Sequence, residues 1–171
     1  MESPPAIDAP AASPDAVDRV VGEWRAVRPD LDAAPLELVG RVLILAERLN
    51  ARVGAALAPF NLSLGQFDIL ATLRRQPGER LSPGGLLTHM VLTSGGMTSR
   101  LDKLEALGLV VRTADPGDRR GVVVALTARG RKLIDRATAA RLGEAAAALP
   151  ELTRDEREAL LGLLRRWLAA V

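Results

Sequence analysis

The stretch from Thr93 to Thr127, TSGGMTSRLDKLEALGLVVRTADPGDRRGVVVALT, constrains the fold more than any other part of the chain. Met97, Leu101, Leu104 and Leu107 recur at helical spacing until Gly108 stops the pattern, and Thr93 or Ser94 offers a hydroxyl to cap the helix. The opposite face of that helix carries Ser94, Thr98, Ser99, Arg100 and Lys103. Leu109 to Thr113 is short, apolar and β-branched, Asp115-Pro116-Gly117-Asp118 is turn chemistry, and Val122 to Leu126 makes a second strand. A helix running into a two-stranded ribbon with Arg119 and Arg120 near its tip is a winged helix. The expected fold class is therefore mainly α with a small β-wing.

At 171 residues, nearly half of them hydrophobic, the chain can bury one good core. No apolar run approaches the roughly 18 residues of a membrane span, and the N-terminus lacks the basic-then-apolar order of a secretory signal, so the expected location is cytoplasmic. The absence of cysteine removes thiol redox sensing and thiolate metal sites. His89, the only histidine, cannot build a histidine-rich zinc site and reads as a surface or packing residue. With no glycine-rich phosphate loop and no clustered carboxylates, neither an enzyme nor a cofactor or metal is expected.

The net charge of +2 is informative only once located along the chain. From Ser94 to Lys132 eight basic residues (Arg100, Lys103, Arg112, Arg119, Arg120, Arg129, Arg131, Lys132) face four acids (Asp102, Glu105, Asp115, Asp118). A basic segment on an otherwise mildly acidic body is the electrostatic footprint of a DNA-binding element; the plain alternative is a solvated helix face.

In chain order, residues 1–14 are rich in Pro, Ala and Ser and read as a disordered tail. Residues 15–171 form a single domain in this reading. From Asp15 a helix carries Val17, Val20, Val21, Trp24 and Val27 and ends before Arg28-Pro29; a long helix follows from about Leu36 to Ala58, its stripe running from Val39 to Leu57. Ser63-Leu64-Gly65-Gln66 is a capping box for a helix bearing Phe67, Ile69, Leu70 and Leu73. Glu79-Arg80-Leu81 can make a short strand, and Ser82-Pro83 opens a short helix to about Met90, which completes a helix-turn-helix with the helix after Thr93. Thr127 caps a long helix to about Leu149, and Thr153-Arg154-Asp155-Glu156 starts a terminal helix with Leu160, Leu161, Leu164, Trp167, Leu168 and Val171. Residues 62–127 are thus the winged-helix region. The helices in 15–58 and 128–171 exceed what it needs, and their apolar stripes suit dimerisation into a two-fold homodimer.

The pieces Leu62–Leu70, Leu81-Ser82-Pro83, Thr98–Leu101, Leu104–Val110, Asp115–Arg120 and Leu126–Gly130 together resemble the multiple-antibiotic-resistance-regulator (MarR) family of bacterial transcription factors, over about residues 36–170. The resemblance implies a dimeric winged helix-turn-helix regulator, most often a repressor, whose DNA affinity a small ligand sets. The extra N-terminal helix with Trp24, together with Asp68, Arg100 and Arg112, resembles the urate-responsive subgroup and its aconitate- or citrate-responsive relatives. In that subgroup the matching residues line the ligand site. A homodimer, an operator in double-stranded DNA and a small anionic effector are the partners so implied.

For DNA, Ser94, Thr98 and Ser99 offer hydroxyls to phosphates or base edges, and Arg100 and Lys103 can reach guanine or the backbone. Both cations could instead simply pair with Asp102 or Glu105. In the wing, Arg120 suits a minor groove, Asp118 holds it as the family's Asp-x-Arg pattern implies, and Arg119 suits phosphate. For the ligand, Arg100 and Arg112 can make bidentate contacts to an anion, with Asp68 on the opposite wall and Trp24 as a flat cover. Trp24 could equally be core, and Asp68 could be a salt-bridge partner. The other reading of the whole is a helical dimeric DNA-binding architectural protein without an effector.

Overall fold

The computed structural model describes residues 13–90, 96–115 and 118–171, with the backbone alone at 118–120. Its elements are α1 (Ala16–Val27), α2 (Pro35–Leu57), α3 (Leu64–Arg75), β1 (Arg80–Leu81), α4 (Pro83–His89), α5 (Met97–Ala106), β2 (Val110–Asp115), β3 (Asp118–Leu126), α6 (Ala128–Ala148) and α7 (Arg154–Leu168), with short 3-10 turns at Ala58–Phe60 and Pro77–Glu79. Local chemistry sets most of these boundaries. Asp15, Ser63 and Thr153 each cap their helix through a complete capping box, and Ser82 caps α4 with Pro83 in the first turn. Nearly all of the expected tail lies outside the described residues.

Contacts divide the chain into two compact units. The larger, Leu49–Ala147, holds the winged helix. Its core joins Val53 and Leu57 of α2, Ile69, Leu70 and Leu73 of α3, Leu86 of α4, Leu101 and Leu104 of α5, Val110 and Val124 of the sheet, and Ile134 and Ala137 of α6. The antiparallel sheet has the order β1-β3-β2, with Arg80 opposite Ala125 and Arg112 opposite Val124. β2 and β3 extend further toward the hairpin than the apolar pattern alone suggests, since polar residues continue the ladder to the Asp115–Asp118 pair.

The other unit comprises Met1–Arg48 and Ala148–Val171. Here α1 docks on the start of α2: Val17, Val21 and Ala33 are buried, and Gly40 lies so close to Val17 that an added Cβ would sit 3.2 Å from its methyl. Arg41 of α2 clasps the α1 cap, reaching Asp15 at 2.9 Å and Asp18 at 2.7 Å. The hydrogen bond from Arg41, reinforced by the Asp15 backbone N–H, holds the Asp18 carboxyl below its usual value. A depressed carboxyl stabilises the fold at neutral pH and loses that contribution as pH falls through the depressed value. Acidification is therefore expected to loosen α1 in the wild type and to do so less in Asp18→Asn, read by Trp24 fluorescence in a Trp167→Phe background; identical acid titrations would refute the clasp.

Between Leu38 and Leu45 the predicted stripe of α2 is exposed rather than core, and burial resumes only at Val53 and Leu57.

Candidate nucleic-acid interface and the neighbouring polar cluster

The described part of α5 starts at Met97, behind Gly96 in the left-handed region (φ 73°), where a glycine relieves the steric cost of a Cβ. The expected caps Thr93 and Ser94 lie outside the described residues, as does the proposed DNA contact of Ser94. Met97, Leu101 and Leu104 are buried, while Thr98, Ser99, Asp102 and Lys103 are exposed. Leu107, expected in the stripe, caps the helix C-terminus and is 43% exposed, because the chain leaves the helix there and turns through Gly108 (φ 66°) into β2.

The acids of α5 are committed to the neighbouring strand. Arg112 on β2 reaches Asp102 Oδ1 at 2.7 Å and Glu105 Oε2 at 2.7 Å, and its backbone N–H donates to Glu105 Oε1 at 3.0 Å. Asp102 first, then Glu105, hold the guanidinium more firmly protonated, against the opposing effect of burial. Lys103 is thus left with no carboxylate partner among the described residues.

Arg100 sits on the other flank of the buried Leu101–Leu104 stripe, half-buried against the first turn of α3. Its guanidinium carbon lies 2.7 Å from where a Cβ on Gly65 would be. One helical turn along α3 is Asp68, only 7% exposed, whose Oδ2 is buried with no hydrogen-bond partner among the described residues. The structure therefore brings Arg100 and Asp68 to the same end of α3. Arg112 faces the α5 carboxylates on the opposite flank. Trp24 belongs to the other unit, on α1, and is 49% exposed. His89 is exposed at the end of α4. The side chains of Asp118, Arg119 and Arg120 lie outside the description.

The steric role of Gly65 gives a prediction. A Cβ there meets only the end of a flexible side chain, so Gly65→Ala is expected to leave the melting temperature nearly unchanged while displacing Arg100; an unchanged response to both DNA and small anions would show that Arg100 has no role at this position.

Sequence reasoning missed the ion-pair chain in which Glu79 bridges Arg74 (3.0 Å) and Arg131 (2.6 Å) while Arg74 also meets Asp135 (2.8 Å). Glu79 carries a positive φ of 53°. Arg131 and Asp135 are 52 and 61 residues from their partners Glu79 and Arg74, and no local spacing reveals those pairs.

A MarR-family model matches residues 60–121, from the turn after α2 to the wing. HTH-type transcriptional regulator PecS of Dickeya dadantii is 33% identical over 151 residues, covering 88% of this chain and 91% of PecS. The chain belongs to the MarR family. It is a DNA-binding transcriptional regulator and not an enzyme. Among solved structures, MarR-family Sco3205 of Streptomyces coelicolor, in complex with DNA, superposes with a TM-score of 0.69 at 25% identity over 80% of this chain and 87% of its own. Bordetella bronchiseptica BpsR, solved in a study of how 6-hydroxynicotinic acid regulates its DNA binding, gives 0.67 at 27% identity over 77% and 93%. The mainly helical winged fold of this MarR-family chain thus agrees with the expected class. Among the described residues no group of acidic, histidine or cysteine side chains could hold a metal ion, and no helix is long and apolar enough to cross a membrane.

Proposed function

We propose that this MarR-family regulator is a homodimeric repressor that reads a palindromic operator and is released from it by a small organic anion. Urate or a citrate- or aconitate-like carboxylate is the candidate effector class. The observation that carries the DNA half is α5: Thr98, Ser99 and Lys103 stand exposed above a buried stripe, while the acids that would oppose a phosphate are held by Arg112. Ser94 and the wing residues Asp118, Arg119 and Arg120 complete the proposed contact set.

Dimerisation through the helices in 15–58 and 128–171 is supported by what they leave uncovered. Val39, Val42 and Leu43 of α2 and Leu164, Trp167 and Leu168 of α7 line an apolar cleft of about 340 Å³. Apolar surface on that scale calls for a cover, and a second copy supplies one with two-fold symmetry.

The effector half rests on Asp68 and Arg100. A buried carboxylate oxygen without a partner is costly, and a donor group on a ligand removes that cost. Arg100, beside the start of α3, supplies the cation for the ligand's negative charge. An anion that draws Arg100 or Arg112 away from its DNA-competent position, with a coupling of about 1–3 kcal/mol between the sites, changes operator occupancy about 5- to 150-fold. BpsR, whose DNA binding 6-hydroxynicotinic acid regulates, is a precedent in a similar fold.

The test is an electrophoretic shift on the protein's own upstream region with urate, citrate, trans-aconitate and 6-hydroxynicotinate added in turn. One of these anions is expected to release the wild type. Asp68→Asn is expected to keep the operator and to stop responding. A wild-type complex indifferent to every anion would favour an architectural DNA-binding protein instead.

A further inference from the structure

We propose that Glu79 is a positioning residue for operator recognition: its carboxylate latches the entry to the helix-turn-helix onto α3 and α6, and so fixes how α4 and α5 are presented to DNA. Glu79 itself touches no DNA in this role. Its backbone is strained. Gly78 (φ 70°) and Glu79 (φ 53°) are consecutive residues in the left-handed region, where a glycine is at ease and a residue with a Cβ is not. A glutamate keeps such a conformation only where its surroundings over-determine it, and strain of this kind is a pointer to function.

The side chain does the holding and is only 14% exposed. Glu79 Oε1 meets Arg74 Nη1 at the end of α3 at 3.0 Å, and Oε2 takes both Nη2 and Nε of Arg131 in the first turn of α6, at 2.6 and 2.7 Å. Arg74 closes the ring by reaching Asp135, one turn further along α6, at 2.8 Å. Exposed ion pairs taken singly contribute little to stability, whereas a shielded carboxylate shared by two helices fixes their geometry.

The place of this bridge matters more than its strength. Directly after Glu79 comes β1, an edge strand of only Arg80 and Leu81, paired with Ala125 and Val124 of β3. Ser82 then caps α4 by accepting the Gly85 N–H at 3.0 Å. So short a strand is a weak hold on the segment that aims α4. The bridge supplies the rest, tying that segment to the helix before it and to the helix that follows the wing. Leu86 of α4 shares its core with Leu101 and Leu104 of α5, so the aim of one helix carries to the other. Simple electrostatics and the latch predict opposite signs. Removing Glu79 deletes a negative charge and frees two arginines, so charge alone predicts tighter binding to any DNA. Loss of the latch predicts weaker binding to the operator only, since reading base edges depends on where α5 stands and non-specific attraction does not.

This role rests on α5 as the DNA-reading helix, as proposed above. The test uses the full chain, an operator that the wild type selects from a random duplex pool, and a scrambled duplex of equal length. Glu79→Gly suits the backbone, so relief of the left-handed strain offsets the lost pairs and the melting temperature is expected to stay within about 3 °C of wild type. Operator affinity is expected to fall about tenfold, with affinity for the scrambled duplex unchanged or raised. Arg131→Gln cuts the α6 leg without touching the strained backbone and should weaken the operator complex by a similar factor. The double variant should lose no more than either single one, since both remove the same bridge. Operator binding by Glu79→Gly that equals or exceeds wild type overturns the proposal. So does an equal loss on both duplexes, and so do losses that add in the double variant. If Glu79→Gly melts far below wild type, the same criteria are applied to Arg131→Gln. A wild type that selects no sequence sinks this role and the repressor reading together, whereas an operator complex indifferent to anions sinks the effector reading alone.

Discussion

Gly130→Ala is expected to lower the melting temperature by roughly 5 °C, although alanine is the better helix former, at about 2–4 °C for each kcal/mol in a chain of this size. Gly130 lies in the first turn of α6, and a Cβ there would stand 2.0 Å from the backbone oxygen of Leu109 and 2.9 Å from its carbonyl carbon. Backbone is the least yielding neighbour a side chain can meet. The same oxygen accepts the Thr127 N–H at 3.1 Å, and the Thr127 hydroxyl accepts the Gly130 N–H at 2.9 Å, so retreat of the helix strains its own cap. Alanine gains about 1 kcal/mol of helix propensity. Overpacking costs about 1–3 kcal/mol and a lost cap about 1 kcal/mol more, so the loss prevails at about 2 kcal/mol. Calorimetry decides it, and an unchanged or raised melting temperature would mean that α6 and β2 are not locked through this contact.

Lys103→Glu is expected to abolish measurable operator binding at physiological salt while leaving the fold intact. Lys103 is exposed on α5, and the carboxylates beside it belong to Arg112, so nothing folded depends on its charge. Lys103→Ala is the quantitative companion. A lysine that neutralises one phosphate contributes about 0.9 to the slope of log affinity against log salt, and a dimer carries two copies, so the slope should shrink by about 2. A shrinkage near 1 would indicate one engaged protomer. An unchanged slope would remove Lys103 from the contact set.

How much was legible in the chain follows from the range of each interaction. The capping boxes at Ser63–Gln66 and Thr153–Glu156, the Ser82-Pro83 start and the Thr127 cap are satisfied within three residues, and each stands where the sequence indicates. The uncovered stripe of α2 was legible as apolar but not as exposed, because periodicity reports a face and not what covers it. The Glu79 bridge joins residues 52 apart through Arg131, and the Gly65–Arg100 approach joins two helices. Arg112 was legible as a cation near the recognition helix. That it turns toward Asp102 and Glu105 depends on which flank of α5 the strand passes, which only the packing of Leu101, Leu104 and Val110 decides.

The position of Arg112 makes the wing strand an internal counter-ion for the helix beside it. On its own, α5 is electrically balanced, with Arg100 and Lys103 against Asp102 and Glu105. With Arg112 seated on both acids, the surface offered to a polyanion becomes net positive. Whatever tilts β2 by the length of one hydrogen bond would return two unscreened carboxylates to that surface. The charge that α5 presents to phosphate can thereby change without any movement of α5 itself.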